Sequence, residues 1–114
     1  MDENIISKKT FNFAVRTVKL YKHLTGKNEF IMSKQLLRCG TSIGANVSEA
    51  QRGQSKADFN SKLNIALKEA NETEYWLRLL HATDYINDSE FESINTDIQD
   101  IISILVSICK KTNI

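Results

Sequence analysis

The chain contains no proline and only 4 glycines among its 114 residues. Average usage of about 5% would supply about five or six prolines, and strand-rich folds need tight turns built from these two residue types. Their scarcity excludes a turn-dense β architecture and points to a nearly all-helical chain. Cysteine is scarce too. Cys39 and Cys109 lie inside apolar-periodic segments rather than in a spaced framework, so they read as small buried hydrophobes in a reducing compartment; spacing alone leaves a bridge between them open. No run approaches the roughly 20 consecutive apolar residues of a membrane span, and the opening MDENIISKK lacks the apolar stretch of a secretory signal. A cytoplasmic location with no membrane partner is therefore expected. One-sided charge is also missing: 15 Lys and Arg against 14 Asp and Glu leave a net +1. No whole-molecule field draws the chain to nucleic acid, and any basic surface must come from uneven distribution.

What is present is a globular composition, 41% hydrophobic and 25% charged, in a chain long enough for one domain (1–114) whose core needs neither disulfide nor metal. Periodicity and caps lay out four helices. The first spans about 5–25, with Phe11, Ala14, Val18 and Tyr21 on one face and Gly26 placed as a left-handed C-cap. The second spans about 33–52, with Ser33 as N-cap, Met32 and Leu37 as a hydrophobic staple, an apolar series of Leu36, Gly40, Ile43, Val47 and Ala50, and Gly53 as terminator. The third spans about 56–85 behind Ser55 and Asp58. Its Phe59, Leu63, Ala66, Ala70, Thr73, Leu77 and Leu80 alternate steps of four and three, a sustained heptad seam. The fourth spans about 89–111, opened by a Ser89/Glu92 capping box and continued by Phe91, Ile94, Ile98, Ile101, Leu105 and Ile108 at the same spacing. Short connections between long helices make antiparallel neighbours. The fold class is all-α, an up-down-up-down four-helix bundle.

Second apolar stripes accompany these faces: Phe13, Leu20 and Leu24 on helix one; Ile65, Trp76 and Leu79 on helix three; Ile102, Val106 and Cys109 on helix four. A bundle helix needs about three apolar positions in seven. The excess predicts a second burial surface, most simply a homo-oligomer, or else fills a thick core. On helix two, Gly40, Gly44 and Ser48 recur every four residues beside Ser42 and Ala45. Helix-interior glycine costs about 0.5–1 kcal/mol relative to alanine, and close helix contact accounts for it better than a ligand at the backbone.

Candidate chemistry is thin. Glu69, Glu72 and Glu74 crowd helix three while Asn46 and Glu49 lie at i,i+3 on helix two, between Arg38 and Arg52. A di-metal bundle site needs Glu-x-x-His on two helices, but Leu20 and Arg78 stand three residues before His23 and His81. Zinc-ligand spacing, a phosphate loop and a nucleophile elbow are likewise missing. A polar network between helices two and three, or a solvated face, fits these residues better than catalysis. Charge is distributed unevenly: Lys8, Lys9, Arg16, Lys19 and Lys27, joined by His23, share an arc of about 100° on helix one, with Lys22 outside it. The first half of helix four carries Asp88, Glu90, Glu92, Asp97 and Asp100. The basic stripe can track phosphates, stand as a solvated face, or pair with acidic helix four, within or between subunits.

SIGANVSEAQRG resembles the S-I-x-A-N-[IV]-x-E-[GA] segment of bacterial four-helix-bundle proteins of the 23S rRNA intervening-sequence type. IALKEANETEYWLRLL looks like the helix-three signature of one branch of that family, and Phe30, Ser33, Gln35, Leu36 and Arg38 fit its F-x-x-S-x-Q-L-x-R pattern. The resemblance covers essentially the whole chain and is strongest from Phe30 to Leu80. It implies a small antiparallel bundle assembled as a ring-like homopentamer, without enzymatic activity. Some members are encoded within insertions in large-subunit ribosomal RNA genes, and a distant relative, accompanying the reverse transcriptase of diversity-generating retroelements, contacts nucleic acid through a basic surface. The recurrent polar positions are matched by Arg38, Asn46, Glu49, Glu72 and Glu74; Gly44 stands where many members have proline, which should straighten helix two, and Ala50 where glycine is usual.

The expected protein is a non-enzymatic homo-oligomer, pentameric by resemblance, acting as an accessory to RNA or DNA. Lys8, Lys9, Arg16, Lys19 and Lys27 would contact phosphates; Arg38, Asn46, Glu49 and Glu72 would order the bundle; no cofactor, metal or small-molecule substrate is inferred. The alternative is a protein-binding scaffold whose apolar stripes, Phe13 and Leu24 among them, dock a partner helix. An enzyme would require Glu49 and Glu72 to line an accessible pocket.

Overall fold

The four-and-three spacing of Leu63, Ala66, Ala70, Thr73, Leu77 and Leu80 places all six on one buried face of a single long helix, and Ile94, Ile98, Ile101, Leu105 and Ile108 do the same one helix later. In the computed structural model, which describes residues 3–112, the helices are α1 (Glu3–Gly26), α2 (Met32–Gln51), α3 (Lys56–Ala82) and α4 (Asp88–Thr112). No strand occurs among the described residues. Each helix packs on its sequence neighbour, α4 returns to α1 as the loosest pair, and the backbones of diagonal helices stay apart among the described residues. The result is the expected antiparallel four-helix bundle, 44 × 21 × 19 Å, its long axis set by helices of 20–27 residues rising 1.5 Å per residue.

The orientation of α1 reverses the sequence expectation. Phe13 is 1% exposed and Leu24 0%, whereas Phe11 is 68% exposed and Val15 and Val18 also face outward. Both stripes are apolar, so hydrophobicity alone cannot choose between them. The choice follows from α2. A Cβ on Gly40 would lie 2.6 Å from Thr17 Cγ2, and one on Gly44 would lie 3.2 Å from the Thr10 carbonyl oxygen. The two glycines thus admit α1 at backbone distance, with Thr10 and Thr17 buried against them. Setting these threonines on α2 turns Ile6, Phe13 and Leu24 into the core and Phe11 out of it. The scaffold expectation that named Phe13 and Leu24 as a docking surface is corrected accordingly. The helix runs unbroken through Gly44.

Helix ends differ from expectation in a consistent way. Left-handed backbone falls on Asn28 (φ 66°) and Asp84 (φ 68°), not on any glycine. The amide of Glu29 donates to Leu24 O at 3.0 Å and that of Tyr85 to Leu80 O at 2.9 Å, the long-range bond of a Schellman ending. Asparagine and aspartate tolerate this region because their short polar side chains offset the Cβ clash. Thus α3 stops at Ala82 rather than near Tyr85. The capping box of α4 lies two residues before Ser89: Glu90 N donates to Asn87 Oδ1 and Asn87 N to Glu90 Oε1, both at 2.8 Å. Ser55 caps as read, accepting from Asp58 N at 3.1 Å, and α2 ends at Gln51 with Gly53 directly after its C-cap Arg52.

Ser33 is not the N-cap of α2. Its hydroxyl donates back to Glu29 O at 2.7 Å, while the Glu29 carboxylate accepts from the amides of Ile31, Met32 and Ser33 at 3.2, 3.1 and 2.6 Å. Glu29 is 7% exposed. Burial alone would raise its pKa, but the three backbone donors and the Ser33 hydroxyl outweigh it and hold the carboxyl below its ordinary range. Anchored this way, the α1–α2 turn displays Phe30 and Ile31, 58% and 78% exposed.

Candidate nucleic-acid interface and polar network

The α1 cations do not form one uniform stripe. Antiparallel packing brings α4 alongside them, and its carboxylates take two: Lys9 Nζ lies 2.6 Å from Asp100 Oδ2, and Arg16 lies 2.7 Å from Asp97 Oδ2. The hydrogen bond and charge of Asp100 raise the Lys9 pKa. Arg16 also donates to Ser93 O at 3.3 Å and Ser93 Oγ at 3.0 Å. Lys27 donates to Tyr85 O at 3.2 Å, tying the two turns at that end of the bundle, and His23 stands 4.0 Å from Glu90. Lys8 and Lys19 are exposed and carry no ion pair among the described residues. Of the five lysines and arginines assigned to phosphate, then, two face solvent unpaired, two hold the α1–α4 seam, and one holds a turn.

The polar network also divides. Arg38 lies between Glu69, at 3.3 Å, and Glu72, with which it makes a close ion pair. Glu72 further accepts from Trp76 Nε1 at 3.0 Å, and Gln35 accepts from Arg38 Nε at 3.4 Å. Asn46 instead donates to Ser42 O at 2.8 Å and Ser42 Oγ at 3.1 Å, within its own helix. Glu49 reaches Lys62 at 2.9 Å. Glu74 turns the other way, accepting from Gln99 of α4. Arg38 and Glu72 therefore meet as expected, with Glu69 and Trp76 completing the cluster, whereas Asn46 and Glu49 stand apart from it. Nothing in the spacing of α3 distinguishes Glu69 from Glu74; the α2–α3 register does. Because Arg38 is half exposed, the pair is solvent-screened: Arg38→Gln should cost no more than about 1 kcal/mol. Urea unfolding followed through Trp76 should show that difference shrinking as salt rises.

Cys39 and Cys109 are buried thiols that are not joined in a disulfide. Burial pushes both above the ordinary thiol range, the opposite of what an activated nucleophile needs. Among the described residues, no group of three His, Cys, Asp or Glu side chains is placed to hold a metal, and no helix is long and apolar enough to cross a membrane.

These features define a class, the small antiparallel bundle with a polar α2–α3 seam and an ion-paired α1–α4 seam. The chain belongs to the 23S rRNA-intervening sequence protein family, whose model matches residues 2–107. Among solved structures it is similar to a protein of unknown function from the S23 ribosomal protein family of Bacteroides thetaiotaomicron VPI-5482. That likeness has 58% identity and a TM-score of 0.94 and covers 96% of this chain and 99% of that one. No curated protein matches.

Proposed function

We propose that the protein is a non-enzymatic, homo-oligomeric bundle that associates with RNA as an accessory protein. The observation carrying this reading is the outer surface of α1, where the exposed cations Lys8, Lys19 and Lys22 border the exposed Phe11, Val15 and Val18. Cations without carboxylate partners suit phosphate, and an apolar strip of this kind suits subunit contact. A groove beside Phe11, lined by Ser7, Ala14, Thr41, Ala45 and Ser48, extends that strip onto α2 and supports the same contact. The assembly is a ring of five on the family resemblance, and the family's name supports ribosomal RNA as the partner.

Retention of structured ribosomal RNA, measured between about 50 and 200 mM salt, should fall steeply, as multiple phosphate contacts require. The double variant Lys8→Glu/Lys19→Glu should lose at least tenfold in affinity while light scattering gives an unchanged oligomer mass. Arg16 is a poorer probe, since reversing it also sets a carboxylate against Asp97. Absence of binding even at the lowest salt would leave these lysines as a solvated face. The exposed Phe30–Ile31 turn would then favour a scaffold that docks protein partners.

A further inference from the structure

Where α4 begins, the α1–α4 seam opens into a cleft of about 470 Å³, within the range of small-ligand sites. Its floor is apolar: Ile86 and Ile94 are buried, and Leu20 is packed against the same core. Its rim is polar and asymmetric. On the α1 side stand Lys19, unpaired, and Arg16, whose contacts with Asp97 and Ser93 engage three N–H groups of the five a guanidinium offers. On the α4 side, Glu90 uses Oε1 in the Asn87 cap, while Oε2 lies 4.0 Å from His23, too far for a hydrogen bond, and remains free to accept.

We propose that this cleft receives one unpaired nucleotide of the bound RNA, with its base on the Leu20–Ile94 floor, its phosphate on Lys19 and Arg16, and its amino edge on Glu90. The inference rests on the RNA-associated reading above and adds the substrate class. A flat base matches an apolar floor between two helices, and a carboxylate acceptor selects bases that present an amino group. Cations on one lip alone place the phosphate. A base stacked and paired in a duplex cannot enter, so the cleft favours loops, bulges and single strands.

The test uses the full chain and two labelled RNAs, a hairpin with an unpaired loop and the same loop sequence closed into duplex. The expected result is at least tenfold tighter binding of the open loop. Ser93→Phe, at an exposed position on the rim, should abolish that preference; because it also removes the Ser93 Oγ acceptor of Arg16, the melting temperature should fall slightly while the fold is kept. Adenosine monophosphate, titrated alone, should move the backbone amide resonances of Lys19, Ser89 and Glu90. Equal affinity for loop and duplex, or a preference that survives Ser93→Phe, overturns the cleft assignment while leaving RNA association standing. If the wild type binds neither RNA, the broader reading fails, and the absence of mononucleotide shifts at those amides removes the cleft with it.

Discussion

Gly40→Val should destabilise the bundle by about 3 kcal/mol or more, with chemical denaturation as the measurement. Helix propensity alone predicts the reverse, since glycine is about 1 kcal/mol poorer than alanine in a helix interior and valine lies between them. Packing decides the sign. Even the first added carbon would stand 2.6 Å from Thr17 Cγ2 and 2.7 Å from its Oγ1, and Thr17 has little room to give: it is fully buried, β-branched and bonded to Phe13 O at 2.9 Å. Overpacking of this kind costs about 1–3 kcal/mol and occasionally more. Gly40→Ala should therefore also destabilise, by about 1–2 kcal/mol, and Thr17→Ala should restore most of that loss in the double variant. A double-mutant cycle with no coupling between positions 40 and 17 would show that α1 does not rest on this glycine.

The second large effect belongs to Glu29. Glu29→Ala leaves the Ile31, Met32 and Ser33 amides without their acceptor. Hydrogen bonds to a charged group are worth about 1.5–3 kcal/mol each, and water can reach the first two amides after truncation, so the net loss should be about 2–4 kcal/mol. Glu29→Gln keeps an acceptor oxygen and should lose less. The pH dependence has a definite sign. Because the folded state holds this carboxyl below its ordinary range, its contribution is fully present above the pKa of the unfolded chain. It is lost as pH falls through the lower folded value. The stability gap between wild type and Glu29→Gln should therefore close on acidification through the carboxylate range; a gap that stays constant with pH would remove the charge from the explanation.

The sequence made α3 and α4 legible because on each a long apolar seam with steps of four and three dominates the shorter stripe beside it and sets the inward face. On α1 two apolar stripes compete, and only the fit of Thr10 and Thr17 against α2 glycines separates them, a contact between residues far apart in the chain. Turn chemistry was misplaced for a related reason. Glycine at position 26 and serine at 33 and 89 have the standard cap preferences, but Asn28, Glu29 and Asn87 make the bonds. A Glu four residues before Ser33 was the available signal for the α2 cap. Among site residues, Arg38 and Glu72 were readable as partners from type and helix position. The division of α1 cations into paired and unpaired depends on the axial register of α4, which no local pattern contains.

That same α1–α4 seam has a kinetic consequence. Consecutive helices pair as local hairpins and form early and cheaply, whereas the Arg16–Asp97 bond closes a loop across 81 positions and joins the loosest pair of helices. Ions screen such exposed pairs within about a Debye length. Raising salt should then loosen this seam first, quickening amide hydrogen exchange along α1 and α4 ahead of α2 and α3, while the consecutive helix pairs of the bundle stay closed.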